Sequence, residues 1–220
     1  MLHKSTLDFL KGLKKNNNRD WFTKNKDKFE EAKKDFHDFV QELINEVAKF
    51  DKSISGIEAK KCIFRIYRDV RFSKDKKPYK TNFGASFSKG GKNSPNAGYY
   101  IHIEADGKSF LGGGMYMPEP DNLNKIRQEI DYNINDFKKI IYRKTFKNLF
   151  GELWSEDKLK NAPKNYPKDH PHIELLKHKH YIAGADVNEK QVLSKDFLKQ
   201  CAKIFKEIKP LNDFLNTAIS

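Results

Sequence analysis

The chain has only two cysteines in 220 residues, Cys62 and Cys201, set far apart and without a CxxC pair. That excludes a disulfide framework and points to reduced, buried thiols. No apolar run approaches the roughly 18 residues that a membrane helix needs. The N-terminus MLHKSTLDFLKGLKK has no uninterrupted apolar core of signal-peptide type, so the expected setting is cytoplasmic, with no membrane partner. No GxxxxGK[ST] loop is present, which argues against P-loop phosphoryl transfer. Repeats and low-complexity linkers are missing as well. Acidic residues are in deficit, 30 against 43 Lys and Arg, which leaves a net charge of +13.

Phenylalanine is abundant at 17, and 37% apolar with 33% charged residues describes a folded, soluble chain with an aromatic core. Much of the positive excess is lysine scattered on helix exteriors, where it does no more than solvate. One stretch differs. From Arg65 to Lys92 there are nine Lys and Arg against only Asp69 and Asp75, a net of +7 within 28 residues. A field of one sign concentrates partners of the other, so this segment is the expected anion-binding surface.

Periodicity organises the rest. Leu7, Leu10 and Leu13 mark a first helix starting near Ser5, with Asp8 as the capping partner. Asn18 caps a second, long helix in which Phe22, Phe29, Phe36, Leu43 and Phe50 recur every seven residues. From Cys62 to Met117 the pattern alternates, and it predicts four strands near 62–72, 81–88, 98–105 and 108–117. Asp106-Gly107 reads as a two-residue hairpin turn. It would pair Ala105 with Lys108, His102 with Leu111, Tyr100 with Gly113 and Tyr99 with Gly114. Helices follow around Leu123–Ile130 and Phe137–Ile141. The 146–180 stretch is punctuated by Pro163, Pro167 and Pro171, with a helical signal only at 173–176. A short strand over 181–187 returns to the sheet, and a last helix begins after Ser194 and is interrupted by Pro210. The expected fold class is α+β: an antiparallel meander over residues 62–117, packed with a long N-terminal helix and C-terminal helices. It forms a single unit over 1–220 with 146–220 as a C-terminal lobe.

The runs RDVRFSKDKKPYKTNFGASF, GYYIHIEADGKSFLGGGMYMPEP and NLNKIRQEI resemble the family designated domain of unknown function 2461 (DUF2461). FLKGLKKNNNRDWFTKNKDKFEEA and DHPHIELLKHKHY fit the same pattern, so the resemblance covers nearly the whole chain. It implies a soluble α+β protein and brings no catalytic residue, cofactor or partner with it.

Candidate site residues follow from the alternation. Even positions along Cys62–Phe72 are apolar except Arg68, which would then be a costly buried cation needing a partner such as Asp69, Glu104 or a bound anion. Arg65, Tyr67 and Arg71 face the other way. Their guanidinium forks suit phosphate or carboxylate, and Lys77, Tyr79 and Lys80 add mobile charge and a hydroxyl. The same residues also make sense as a solvated hairpin loop. Tyr100, His102 and Glu104 share one side of the third strand, where a proton could be moved. Gly112-Gly113-Gly114 inside a strand calls for a bulge, for aromatics packed on bare backbone, or for a ligand on the sheet. His170, His172, His178 and His180 form two HxH pairs, but their spacing, broken by Pro171, constrains metal geometry too loosely to assign a metal. No cofactor and no oligomeric state can be read from the residues.

The leading expectation is a protein that binds a phosphate-bearing or otherwise anionic ligand, either a small molecule or a nucleic-acid backbone. An enzyme using Tyr100, His102 and Glu104 is the alternative. A structural or partner-binding protein is the third. A concave pocket favours the small molecule; a broad open platform favours nucleic acid.

Overall fold

The computed structural model describes all 220 residues. Helices α1 (Lys4–Lys15), α2 (Arg19–Lys24) and α3 (Lys26–Ala48) lead into strands β1 (Asn82–Ser88), β2 (Gly98–Glu104) and β3 (Ser109–Met115). Then come α4 (Pro120–Tyr132), α5 (Ile134–Ile141), α6 (Lys144–Phe150), α7 (Ile173–Leu176), β4 (Tyr181–Val187), α8 (Glu189–Val192) and α9 (Phe197–Ile219). The sheet is antiparallel throughout, in the order β1-β2-β3-β4. No helix is long and apolar enough to cross a membrane.

The N-terminal helices follow the sequence signals with two adjustments. Helix α1 starts one residue before Ser5, and its first turn is held by Asp35 of α3, which accepts from the His3 amide at 2.9 Å and the Thr6 hydroxyl at 2.5 Å. The seven-residue phenylalanine repeat spans two helices. Asn18 caps α2 by accepting from the Trp21 amide, and the chain breaks at Asn25, whose side chain donates to the Trp21 carbonyl. Phe29, Phe36 and Leu43 of α3 are then fully buried.

Residues 62–72 do not form a strand. Phe64 donates to the Gly84 carbonyl and Ser86 to the Cys62 carbonyl, but only isolated bridges, Ile63 with Ala85 and Tyr67 with Tyr79, continue the pairing. Asp69 and Asp75 accept from the amides two residues ahead, at 3.2 and 3.1 Å, and these local turns compete with the ladder. The alternation fails accordingly: Cys62 and Ile66 are buried while Phe72 is 96% exposed. The fourth strand is β4 instead, which returns from the C-terminal segment to pair with β3.

The hairpin between β2 and β3 closes one residue away from the expected register. Asp106 and Gly107 both adopt left-handed φ, 62° and 71°. The pairing puts His102 opposite Phe110, Ile101 opposite Leu111 and Tyr100 opposite Gly112. A slip of one would have placed Leu111 on the outer face, and the core demand of Ile101 and Leu111 decides the matter. The Ser109 hydroxyl completes the turn, accepting from the Glu104 amide and donating to its carbonyl.

One face of the sheet carries Phe83, Ala85, Phe87, Tyr99, Ile101, Ile103, Leu111, Tyr181, Ala183 and Val187, all buried in a single apolar cluster that runs from Leu2 to Leu215. Helices α3 and α9 cover this face. Pro210 does not interrupt α9, which continues to Ile219. Burial of Leu211 and Leu215, roughly 1.5–3 kcal/mol each, offsets the roughly 3 kcal/mol that an interior proline costs.

Candidate functional site

The opposite face of the sheet, reached by the alternate residues, is the floor of a cavity of about 730 Å³. Ser86, Ser88, Gly98, Gly112 and Gly114 line it from below. Aromatic side chains stand around it. Tyr100 lies over Gly84 and Trp154 over Gly184, where an added Cβ would sit 2.7 Å from the Tyr100 hydroxyl and 2.9 Å from the Trp154 ring, and Phe110 packs between them. Phe64 and Tyr116 close two further sides.

The three consecutive glycines have three separate reasons. Gly113 turns to the core, where a Cβ would meet Ile208 at 2.5 Å. Gly114 has φ of 116° and lies so close to the Tyr181 carbonyl that a side chain would collide at 2.0 Å. Gly112 leaves the cavity floor open. Aromatics do compensate strand glycines here, as expected, but the pairs are Tyr100 with Gly84 and Trp154 with Gly184.

The walls are anchored by the C-terminal helix. Asn216 of α9 accepts from the Ala97 amide at 2.7 Å and donates to its carbonyl at 3.2 Å, and Asn212 donates to the Gly98 carbonyl. The loop between β1 and β2, which brings Lys92, Asn93 and Asn96 to the cavity, is therefore pinned at its exit. On the other side, the segment 62–80 runs along the edge of β1 and presents Phe64 and Lys80.

Electrostatically, the cavity has one positive wall. Lys80 Nζ lies 5.3 Å and Lys92 Nζ 5.7 Å from the centroid of Phe64. Lys92 donates to the Ile63 carbonyl at 3.1 Å, whereas Lys80 makes no ion pair and no side-chain hydrogen bond. Burial, then the neighbouring Arg65 and Lys92, hold the Lys80 ammonium below the ordinary lysine range. Lys80 and Lys92 thus line this wall and the exposed Arg65 lies near Lys80; none of the three makes a salt bridge, and Asp69 acts on Arg65 only at a distance. Glu119 and Asn122 lie on the cavity's α4 side.

A second set of polar groups runs along the outer face of β2. The Tyr100 hydroxyl is 3.3 Å from His102 Nδ1, and His102 Nε2 is 3.1 Å from Glu104 Oε2. Asn82 also reaches His102 Nδ1. Burial lowers the His102 pKa despite the opposing pull of Glu104, and this favours the neutral ring. Phe110 stacks on His102 at 4.7 Å and 16°, which leaves Tyr100 as the member that lines the cavity. Burial raises the Tyr100 pKa.

Of the residues singled out in the sequence, Lys80 and Tyr100 line the cavity, His102 and Glu104 stand behind Tyr100, and Arg65 flanks Lys80. The others lie elsewhere. Arg68 is not a core cation: it is spent inside its own loop, bonded to Asp75 and the Lys77 carbonyl at 2.9 Å each and to Ser73. Arg71 is solvated and paired with Asp69, and Lys77 is exposed. Tyr79 is buried, stacked on Phe22 at 4.1 Å, with its backbone clamped by the Asn17 side chain. Tyr67 packs beside it.

The truly buried arginine is Arg127 of α4, 7% exposed, which donates to the carbonyls of Leu176 and His178 and ties the C-terminal segment to the body. The four histidines of that segment do not converge on one point, although the His172 amide donates to His170 Nδ1. His170 meets Asp131, His178 meets the Trp154 carbonyl and His180 lies against Tyr116. No group of three or more metal-ligating side chains gathers anywhere in the chain.

Phe64, Lys92, Tyr116 and Trp154 were not singled out by sequence reasoning as site residues. Phe64 was assigned to the core by an alternation that the loop does not keep. The signal for Trp154 was Gly184, an otherwise unexplained glycine in a strand.

The family model described as Conserved hypothetical protein (DUF2461) matches residues 5–214. No curated protein and no solved structure matches the chain.

Proposed function

The chain belongs to the DUF2461 family, whose description names no reaction, and from the cavity we propose that it binds a small organic anion with a planar or apolar body. The observation that carries this reading is the wall where Lys80 and Lys92 flank Phe64, with Arg65 near Lys80 and none of the three salt-bridged to an acid. A carboxylate or phosphate placed there relieves mutual repulsion, and the surrounding rings of Tyr100, Phe110 and Trp154 receive the body of the ligand. The cavity is concave and of drug-like volume, which favours a small molecule over a nucleic-acid platform. Two free, buried cysteines fit a reducing cytoplasm.

The test is a thermal-shift titration with phenyl phosphate, phenylacetate, inorganic phosphate and a single-stranded oligonucleotide. An aromatic anion at about 100 times its Kd adds about 2.7 kcal/mol, which shifts the melting temperature of a chain this size by about 5–10 °C. Arg65→Ala and Lys92→Ala should each reduce that shift. Oligonucleotide binding that falls steeply with salt, with no response to the small anions, would replace this reading with the nucleic-acid one.

A second reading adds proton transfer to the same cavity. It is favoured by the hydrogen-bonded series Tyr100, His102, Glu104, in which a neutral imidazole backs a hydroxyl that faces the ligand space. Glu104→Gln would then depress turnover of a bound ligand while leaving its affinity unchanged. Equal turnover in both proteins removes the reading.

A further inference from the structure

We propose that Lys80 is a nucleophilic lysine and that the cavity captures small carbonyl compounds bearing a carboxylate, the class of 2-oxo acids, as imines on its side-chain nitrogen. This deepens the anion-binding reading and rests on it.

The argument begins with placement. The Lys80 backbone is fixed at the mouth of β1, its amide donating to the Ile66 carbonyl at 2.8 Å. Its side chain is half-buried and runs along Phe64 into the cavity. The lysines that carry acid partners, such as Lys11 on Glu189, Lys14 on Asp106 and Lys34 on Asp38, are held protonated by those contacts. Lys80 has the reverse surroundings. An apolar ring lies beside it, two cations stand near it, and no carboxylate bonds to it; Glu119 is on the cavity's α4 side and Tyr100, also raised by burial, flanks Phe64 at 6.3 Å between ring centroids. These surroundings favour the free amine over the ammonium more than those of any acid-paired lysine do.

The division of labour follows from the hydrogen bonds. Lys92 is tethered to the Ile63 carbonyl and remains a fixed positive charge, suited to holding a carboxylate. Lys80 is untethered and free to react. Its nitrogen lone pair attacks the carbonyl carbon to form a C–N bond, and the carbonyl oxygen takes up a proton from the amine. The resulting carbinolamine loses that oxygen with the second amine hydrogen as water, leaving the C=N bond. No redox partner is involved.

The experiment uses phenylpyruvate as probe, because it carries a ring, a carboxylate and a ketone, with sodium borohydride to reduce any imine to a stable secondary amine. The adduct is located by peptide mass spectrometry. It should concentrate on Lys80 among the 37 lysines of the chain, be suppressed by phenylacetate, and vanish from that position in Lys80→Arg. That variant supplies a permanent cation that cannot form an imine, so it should still be stabilised by phenylacetate, which also shows that it folds. Label spread evenly over surface lysines, or concentrated on Lys92, overturns the proposal. Stabilisation by phenylacetate without any Lys80 adduct defeats the carbonyl chemistry and leaves anion binding standing. No response to either compound defeats both.

Discussion

Lowering the pH should loosen one wall of the cavity through a single histidine. His178 is 3% exposed, its Nδ1 lies 3.1 Å from the Trp154 carbonyl, and Lys158 is close enough to repel a second charge. Burial first, then Lys158, push its pKa from 6.5 down to about 4. In the unfolded chain the same ring takes its proton near 6.5, so between pH 6.5 and 4 the unfolded state binds the extra proton. The contribution to stability is therefore complete above pH 6.5 and is lost as pH falls towards 4. At about 1.36 kcal/mol per unit the whole effect is about 3 kcal/mol. Urea unfolding followed at pH 8, 7, 6, 5 and 4 measures it, with His178→Gln as the reference. Glutamine can still donate to the Trp154 carbonyl but does not titrate, so other groups, His102 among them, cancel in the difference. The wild type should lose about 3 kcal/mol more than the variant across this range. Parallel curves would refute the account, because they would mean that the ring is either already solvated or charged in the folded state.

Other expectations rest on single contacts. Tyr99 donates to the buried Asp51 carboxylate at 2.7 Å; Tyr99→Phe should cost about 1–3 kcal/mol in chemical denaturation, and Asp51→Asn in the same chain should return part of it. Alanine substitutions along 112–114 should rank by what the added Cβ meets. Gly114→Ala should be worst, since it combines positive φ with a backbone collision; Gly113→Ala, against Ile208 and the Gly98 carbonyl, should cost about 1–3 kcal/mol; and Gly112→Ala, at 3.1 Å from the Ala183 carbonyl, should be mildest. A different order in melting temperature would contradict the register. Arg71→Ala should leave phenyl phosphate binding unchanged and Arg65→Ala should weaken it, because Arg71 is paired directly with Asp69 whereas Arg65 makes no salt bridge and lies beside Lys80. Calorimetric titration of both variants decides this.

What could be read in the chain beforehand divides along physical lines. Elements whose signal is local were legible: the heptad of phenylalanines in α3, the Asn18 cap, the alternation of Phe83, Ala85 and Phe87, and the strand at 181–187. Two failures have separate causes. Asp69 and Asp75 turn the chain out of the ladder, so a run that alternates like a strand is an irregular arm. Ile101 and Leu111 must both face the core, so an Asp-Gly pair with the right dihedrals does not give the expected pairing. The arginines misled for a related reason. Arg65, Arg68 and Arg71 recur evenly, but partner availability separates them, since Asp75 and Asp69 neutralise two and leave one. Spacing locates a cluster of charge, and only the contacts decide which charge is left over.

The register also bears on what the sheet's second face is for. An antiparallel sheet with one wet face usually alternates apolar residues inward with polar ones outward. Here the outward positions of the four strands include Gly84, Gly98, Gly112, Gly114 and Gly184, interleaved with Tyr100 and Phe110. Glycines weaken strands, and exposed rings gain nothing from water, so a face of this composition is a poor solvent surface. It makes sense as a floor lowered to backbone level so that rings can form walls around it. Gly84 and Gly184 are occupied by Tyr100 and Trp154; Gly112 is left uncovered between them. The basic arm carrying Lys80 runs along the edge of β1 to the rim of that opening. Two independent features of the chain, glycine placement in the strands and charge placement in the arm, meet at one cavity. Filling the floor separates that convergence from coincidence: Ser86→Phe, which adds a ring at a floor position, should abolish phenyl phosphate binding without removing any of the three cations.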